Sequence, residues 1–217
     1  MKLAIFDLDN TLIAGDSDCL WGEYLSERGY VDSDTYKATH EQFYQDYVDG
    51  NLDIYAFLEF QLKPLAENDR ELLESWREEY IQKKIKPIIL DAAVELVEQH
   101  RQQGHELLII TATNRFLTEP IANLFNIKSL IACEPEIIDG QYTGQTVGTP
   151  SYAAGKVTRY KEWLLQCHYN VDESWFYSDS HNDIPLLKLV NHAVAVDADN
   201  SLRKEAEKSG WKIISLR

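Results

Sequence analysis

The sequence predicts an α/β fold: a mostly parallel, doubly wound sheet with helices on both faces and an all-helical block inserted after the first strand. Three observations predict it. The apolar run Leu3-Ala4-Ile5-Phe6 ends abruptly at Asp7-Leu8-Asp9-Asn10-Thr11. Residues 14–86 carry their apolar side chains at helical spacing. After Pro87 the pattern changes to helices alternating with short strands, which implies parallel pairing through helical crossovers.

Leu3 to Phe6 is short, continuous and apolar, as a strand buried on both faces requires. It delivers Asp7 and Asp9 to its C-terminal end. Open α/β sheets bind ligands beyond that end, and two carboxylates there can divide nucleophilic and acid/base work. An acidic turn is the plain alternative. A second acidic pair, Asp179 and Asp183 after the strand-like Trp175-Phe176-Tyr177, argues against it.

Three helical stripes follow the first strand: Leu20, Trp21, Tyr24 and Leu25; Tyr36, Phe43, Tyr44 and Tyr47; Leu72, Leu73, Trp76 and Tyr80. Gly50 closes the second helix, and Asn68 or Asp69 caps the last. These aromatic stripes are expected to serve packing. Beyond Pro87 we expect a helix over 92–103 stopped by Gly104, a strand over 106–110, a helix over 115–125 and a strand over 129–133. An Asp139-Gly140 turn then makes a hairpin over 137–142, expected to form a flap. Helix 156–166, strand 175–177, helix 182–190, strand 193–196, helix 201–208 and strand 212–214 complete the pattern. The division is a core of residues 1–13 and 87–217 with an insertion of residues 14–86.

At 217 residues the chain can bury a substantial core. Its net charge of −15 disfavours nucleic acid and anionic membrane as partners. Residues 14–85 hold 17 acidic against 7 basic side chains, most of them expected on a solvated face. Cys19, Cys133 and Cys167 are too far apart for a zinc knuckle or a disulfide framework. One lysine before a four-residue apolar run makes no signal peptide, and no stretch is long enough to span a bilayer. A cytoplasmic monomer is the expectation. His40, His100, His105, His168 and His192 lack metal-ligand spacing, His181 is expected in a surface loop, and none is assigned a role.

Four features can converge at the strand ends: Asp7-x-Asp9-x-Thr11, Thr111 after Leu107-Leu108-Ile109-Ile110, Lys156 at a helix start, and Asp179-x-x-x-Asp183. Read as DLDNT, ITAT, the lysine of GKVTRYKEW and SDSHND, they resemble in order the four motifs of the haloacid dehalogenase superfamily of phosphohydrolases. The likeness covers essentially the whole chain and implies a Rossmann-like core. It also implies that Asp7 binds Mg²⁺ and attacks phosphorus to form an aspartyl-phosphate. Asp9 would give its backbone carbonyl to the metal while its side chain serves as general acid and base. Asp179 would be a further ligand, and Asp183 would orient metal-bound water. Thr111, the Ala112 amide, Lys156 and Asn182 would hold phosphate oxygens. The chemistry needs such a set: a carboxylate meets an anionic ester only if a cation neutralises both, and Mg²⁺ takes carboxylate, phosphate and water oxygens.

The insertion resembles the helical cap of the subfamily containing phosphoserine phosphatase and certain histidinol-phosphate phosphatases. Such a cap admits small soluble substrates and then excludes water. In phosphoserine phosphatases an acidic residue nine positions after the nucleophile holds the substrate amine, and Asp16 stands there. Their cap also carries the form D-F-x-x-S-L-R-x-R-V, whose second arginine binds the substrate carboxylate. Aligned on residues 53–62, Glu59 and Gln61 replace both arginines. This implies a small phosphorylated metabolite with an amine and no carboxylate, such as histidinol phosphate or another amino-alcohol phosphate. Phosphoserine hydrolysis is the alternative, and a phosphotransferase or mutase the alternative of another class.

Overall fold

The computed structural model describes all 217 residues, Met1–Arg217. Its elements run β1 (Lys2–Phe6), α1 (Ser17–Glu27), α2 (Ser33–Val48), α3 (Ile54–Ala66), α4 (Arg70–Tyr80), α5 (Asp91–Gln102), β2 (Glu106–Asn114), α6 (Arg115–Leu124) and β3 (Ser129–Ile138). They continue as β4 (Gln141–Val147), α7 (Ala154–Gln166), β5 (Glu173–Ser178), α8 (Ile184–Leu187), β6 (His192–Val196), α9 (Asn200–Ser209) and β7 (Lys212–Ile214). One seven-stranded sheet has the order β4-β3-β2-β1-β5-β6-β7, parallel throughout except for the β3–β4 hairpin. Strand β1 is central: the chain builds outward on one side through β2 and β3, then on the other through β5, β6 and β7. That reversal opens a crevice beyond the carboxyl end of β1.

Leu3, Ala4, Ile5 and Phe6 are all fully buried, because helices cover both faces. The period of two splits them cleanly. Ala4, Phe6, Leu107 and Ile109 enter one apolar cluster, and Leu3, Ile5, Leu108 and Ile110 enter the other. The first cluster continues without a break into the insertion through Trp21, Tyr24, Leu58, Leu62, Trp76 and Tyr80. The chain leaves for the insertion and returns from it side by side: Ile13 and Ile89 form an antiparallel bridge, and the Ala14 amide donates to the Ile88 carbonyl at 2.8 Å.

The insertion contains four α-helices where the stripes indicated three. Helix α3, IYAFLEFQLKPLA, is apolar around much of its circumference and carries Pro64, so no single stripe stands out. Asp53 caps it by accepting from the amides of Tyr55 and Ala56. Helix α2 departs from expectation in its packing. Of its aromatic stripe only Tyr36 is buried, lying so close to α1 that a Cβ on Gly22 would stand 2.4 Å from its ring. Asp69 occupies the N-cap of α4 without a side-chain hydrogen bond. The chain leaves α4 through a π-helical turn at Ile81–Ile85 and a 3₁₀ turn at Lys86–Ile88.

The Asp139-Gly140 turn is present, with positive φ at both residues (51° and 81°) as a two-residue hairpin needs. The hairpin is a packed edge instead of a flap: an added Cβ at Gly144 would stand 3.3 Å from Ala66 of α3. The expected helix over 182–190 is only a 3₁₀ turn at His181–Asp183 followed by the four residues of α8. No helix is long and apolar enough to cross a membrane.

Candidate active site

A cavity of about 450 Å³ opens at the carboxyl ends of β1, β2 and β5 and is roofed by α2 and α3. Asp7, Asp9, Asp16, Thr111, Ala112, Lys156, Asp179, Asn182 and Asp183 all line it. Its volume is that of a small-molecule site, typically about 300–1,000 Å³.

Lys156, 4% exposed, is the hub. Its ammonium donates to Asp7 Oδ1 and to Asp183 Oδ2, each at 2.8 Å. Asp183 Oδ2 also accepts from Ser178 Oγ at 2.7 Å. Burial alone would lower the Lys156 pKa, but Asp183 and Asp7 more than offset it and hold the charge. The lysine is aimed by a tight turn before α7, where Ala153 has φ 46° and a Cβ on Gly155 would lie 2.1 Å from the Pro150 carbonyl oxygen. Only glycine fits there.

Asp9 is turned toward the insertion. Its Oδ1 accepts from the Ser17 amide at 2.7 Å, and its Oδ2 from Thr113 Oγ1 at 3.0 Å and Thr111 Oγ1 at 3.3 Å. Ser17 is itself fixed, because Tyr80 Oη of α4 donates to its carbonyl at 2.7 Å. The Thr111 hydroxyl, expected to face phosphate, is therefore directed at Asp9 and accepts from the Thr113 amide. Asp179 Oδ1 accepts from Thr11 Oγ1 at 3.3 Å. Asp16 caps α1 through the Cys19 amide at 2.8 Å.

The electrostatics are dominated by surplus negative charge. Seven aspartates line the cavity (Asp7, Asp9, Asp16, Asp18, Asp179, Asp183 and Asp199) against one lysine and no arginine. Burial pushes Asp7 up to about 7, with Lys156 opposing and Asp183 and Asp9 adding to the rise. Burial, then the charge of Asp16, pushes Asp9 up to about 6. Asp179 and Asp18 are raised well above the ordinary carboxylate range, also by burial first. These carboxylates are hard oxygen donors of the kind Mg²⁺ takes, although no three of the side chains stand together as a ready metal-binding group, and a dication would favour their ionised forms against burial.

Asn182 Nδ2 is buried without a partner, while its Oδ1 accepts from Tyr152 Oη at 3.2 Å. Tyr47 of α2 hydrogen-bonds Ser180 Oγ at 2.7 Å, tying the insertion to the loop that carries Asp179.

Two further sequence readings are corrected here, beside that for Thr111. Gln61 does not face the cavity: it is fully buried, its Oε1 accepting from Tyr36 Oη at 2.9 Å, and Glu59 points to solvent. His181 is no free surface residue, since it lines the cavity with Nδ1 held by Asp199 at 2.9 Å. Sequence reasoning also missed Asp18, Thr113, Tyr47 and Tyr152. Thr113 was detectable, because positions two apart on a strand share a face.

A family model of the haloacid dehalogenase-like hydrolases matches residues 4–188. A histidinol-phosphatase of Neisseria meningitidis serogroup C is 44% identical over 100% of this chain and 99% of its own length. Phosphoserine phosphatase SerB1 of Mycobacterium tuberculosis is 31% identical over 99% of this chain and 70% of its own. A crystal structure of a protein of unknown function from Bordetella pertussis superimposes with a TM-score of 0.94 at 39% identity, covering 100% and 99% of the two chains. A phosphoserine phosphatase solved as a phospho-aspartyl intermediate analogue shares the fold, with a TM-score of 0.73 at 17% identity. Fold, motif order and relatives agree that the chain belongs to the haloacid dehalogenase-like hydrolases, as one of their phosphatases.

Proposed function

We propose that the enzyme hydrolyses the phosphate monoester of a small amino alcohol, histidinol phosphate foremost, through an aspartyl-phosphate on Asp7. The observation that carries the substrate class is the make-up of the cavity wall, with no arginine and seven aspartates. A substrate carboxylate would find no guanidinium partner there, and an unpaired buried charge is costly. A substrate ammonium would find Asp16 and Asp18. The 44% identity to a histidinol-phosphatase supports the same reading.

In this reading residues 14–86 form the cap and the remainder the core. Asp7, Asp179 and the Asp9 backbone carbonyl would hold Mg²⁺, with Asp183 orienting its waters. The ion supplies charge neutralisation between carboxylate and ester. Asp7 attacks phosphorus as the bond from phosphorus to the alcohol oxygen breaks, and Asp9 delivers its proton to that oxygen. Asp9 then takes a proton from the water that attacks the acyl phosphate, releasing inorganic phosphate and restoring Asp7. The Ser17 amide and the Thr113 hydroxyl hold the Asp9 carboxyl in one position for both proton transfers. Lys156, Asn182 and the Ala112 amide offset charge on the phosphoryl oxygens, while the Thr111 hydroxyl, directed at Asp9, helps hold that carboxyl in place.

The test is phosphate release with Mg²⁺ from histidinol phosphate and from phosphoserine, on wild type and Asp16→Asn. Wild type is expected to favour histidinol phosphate in kcat/KM. The variant, whose amide oxygen can still cap α1, is expected to erode that preference through KM. A wild type that prefers phosphoserine, or full activity in excess EDTA, overturns the proposal.

A further inference from the structure

Helix α2 has sixteen residues yet buries only one of them, Tyr36. Helices of folded proteins owe most of their stability to an apolar face packed against something. The remaining aromatic residues of this face, Phe43, Tyr44 and Tyr47, stand in the wall of the catalytic cavity. Phe57 of α3 completes a patch with them. Its ring meets Phe43 edge-to-face with centroids 5.5 Å apart, and His40 edge-to-face at 6.5 Å. All three rings are half-buried, and all three line the cavity. The cavity is therefore amphipathic, with carboxylates and Lys156 at the strand ends and a ring-lined concavity under the insertion. Phosphate and ammonium account for the polar part only. The aromatic part, with Phe43 also backed by Phe60 at a centroid distance of 5.5 Å, turns the half-buried sides of its rings into the cavity.

We propose that His40, Phe43 and Phe57 form a subsite for a flat ring at the end of the substrate remote from phosphate, so that the enzyme selects aromatic and heteroaromatic amino-alcohol phosphates over aliphatic ones. The inference rests on the phosphomonoesterase reading above. Rings held edge-to-face offer a slot in which a further ring gains its own edge-to-face or stacked contacts, worth about 0.5–1.5 kcal/mol per pair beyond buried area. A branched aliphatic chain gains the area and not those contacts. His40 adds a polar atom to the slot, and its pKa is lowered by burial, so near neutral pH it offers a ring nitrogen as acceptor to an N–H on a heteroaromatic substrate.

The test compares kcat/KM for four esters that share phosphate and amine: histidinol, phenylalaninol, leucinol and alaninol phosphates. Wild type, Phe43→Leu and Phe57→Leu are used, since leucine keeps most of the apolar volume and removes the flat face. The two ring esters are expected to exceed leucinol phosphate in wild type. Each variant is expected to lose about 3- to 10-fold on the ring esters, mostly in KM, and much less on alaninol phosphate. Leucinol phosphate equal to the ring esters in wild type, or parallel losses on all four esters in the variants, overturns the ring subsite and leaves the phosphatase reading standing. Absence of phosphate release from all four esters overturns both.

Discussion

Replacing Asp7 with asparagine is expected to stabilise the metal-free protein at alkaline pH while abolishing turnover. Burial raises the Asp7 carboxyl from 3.8 to about 7, with Lys156 pulling it down and Asp183 and Asp9 pushing it up. Between about pH 4 and pH 7 the native state therefore binds more protons at this site than the unfolded chain, and stability falls as pH rises through that window. Above it the full cost of the ionised group is present. At about 1.4 kcal/mol per factor of ten, the gap corresponds to about 4 kcal/mol. That is a ceiling, because relaxation and water entry lower the penalty on a buried charge. The asparagine removes the charge at nearly constant volume and leaves Lys156 its 2.8 Å pair with Asp183. A gain of about 1–3 kcal/mol at pH 8, fading toward pH 5, is the expected result. Urea unfolding of both proteins in EDTA at pH 5, 6.5 and 8 measures it. The difference between the two proteins is the diagnostic, because His100 tilts wild type the other way. Burial and then His105 push His100 down to about 4, so its stabilising effect is present above pH 6.5 and lost as pH falls toward 4. A variant no more stable than wild type at pH 8, or a difference independent of pH, refutes the argument.

Asp9→Asn should lose about 10²–10⁴-fold on alkyl phosphates and far less on p-nitrophenyl phosphate, whose leaving group needs little protonation; equal losses on both esters contradict the acid role. Gly155→Ala places a Cβ 2.1 Å from the Pro150 oxygen and must shift the first turn of α7 with Lys156. A cost of about 1–3 kcal/mol in a thermal melt, with a larger fractional loss of kcat, is expected; an unchanged kcat argues against the placement of Lys156. Tyr47→Phe removes the 2.7 Å bond to Ser180 and should raise KM by about 2- to 12-fold, the worth of one net hydrogen bond, with little change in melting temperature.

How far the sequence reaches differs by residue. Asp7, Asp9 and Asp179 were legible because a fully buried strand must be apolar, so the first charge after such a run marks its end. The Asp139-Gly140 turn was legible because few dipeptides accept two positive φ angles. Helix α3 was not, because periodicity vanishes when most of a helix's circumference is apolar. Periodicity also reports which residues share a face and not what the face meets. The stripe on α2 reads like core, and the fold uses most of it to line a cavity. Gln61 shows the same limit for a linear alignment, which can match a position in the chain while its side chain points away from the site.

Most of the insertion is bonded into the protein's main apolar cluster, and α2 contributes nothing to that cluster. On the proposed reading, the wall that meets the variable part of a substrate is thus a helix outside the main apolar cluster, anchored chiefly through Tyr36. Since most substitutions are purged for what they do to stability and not for what they do to activity, such a helix can change its side chains at little risk to the whole. Specificity in this architecture can drift one residue at a time on α2, while the strand ends that break the phosphate bond stay as they are.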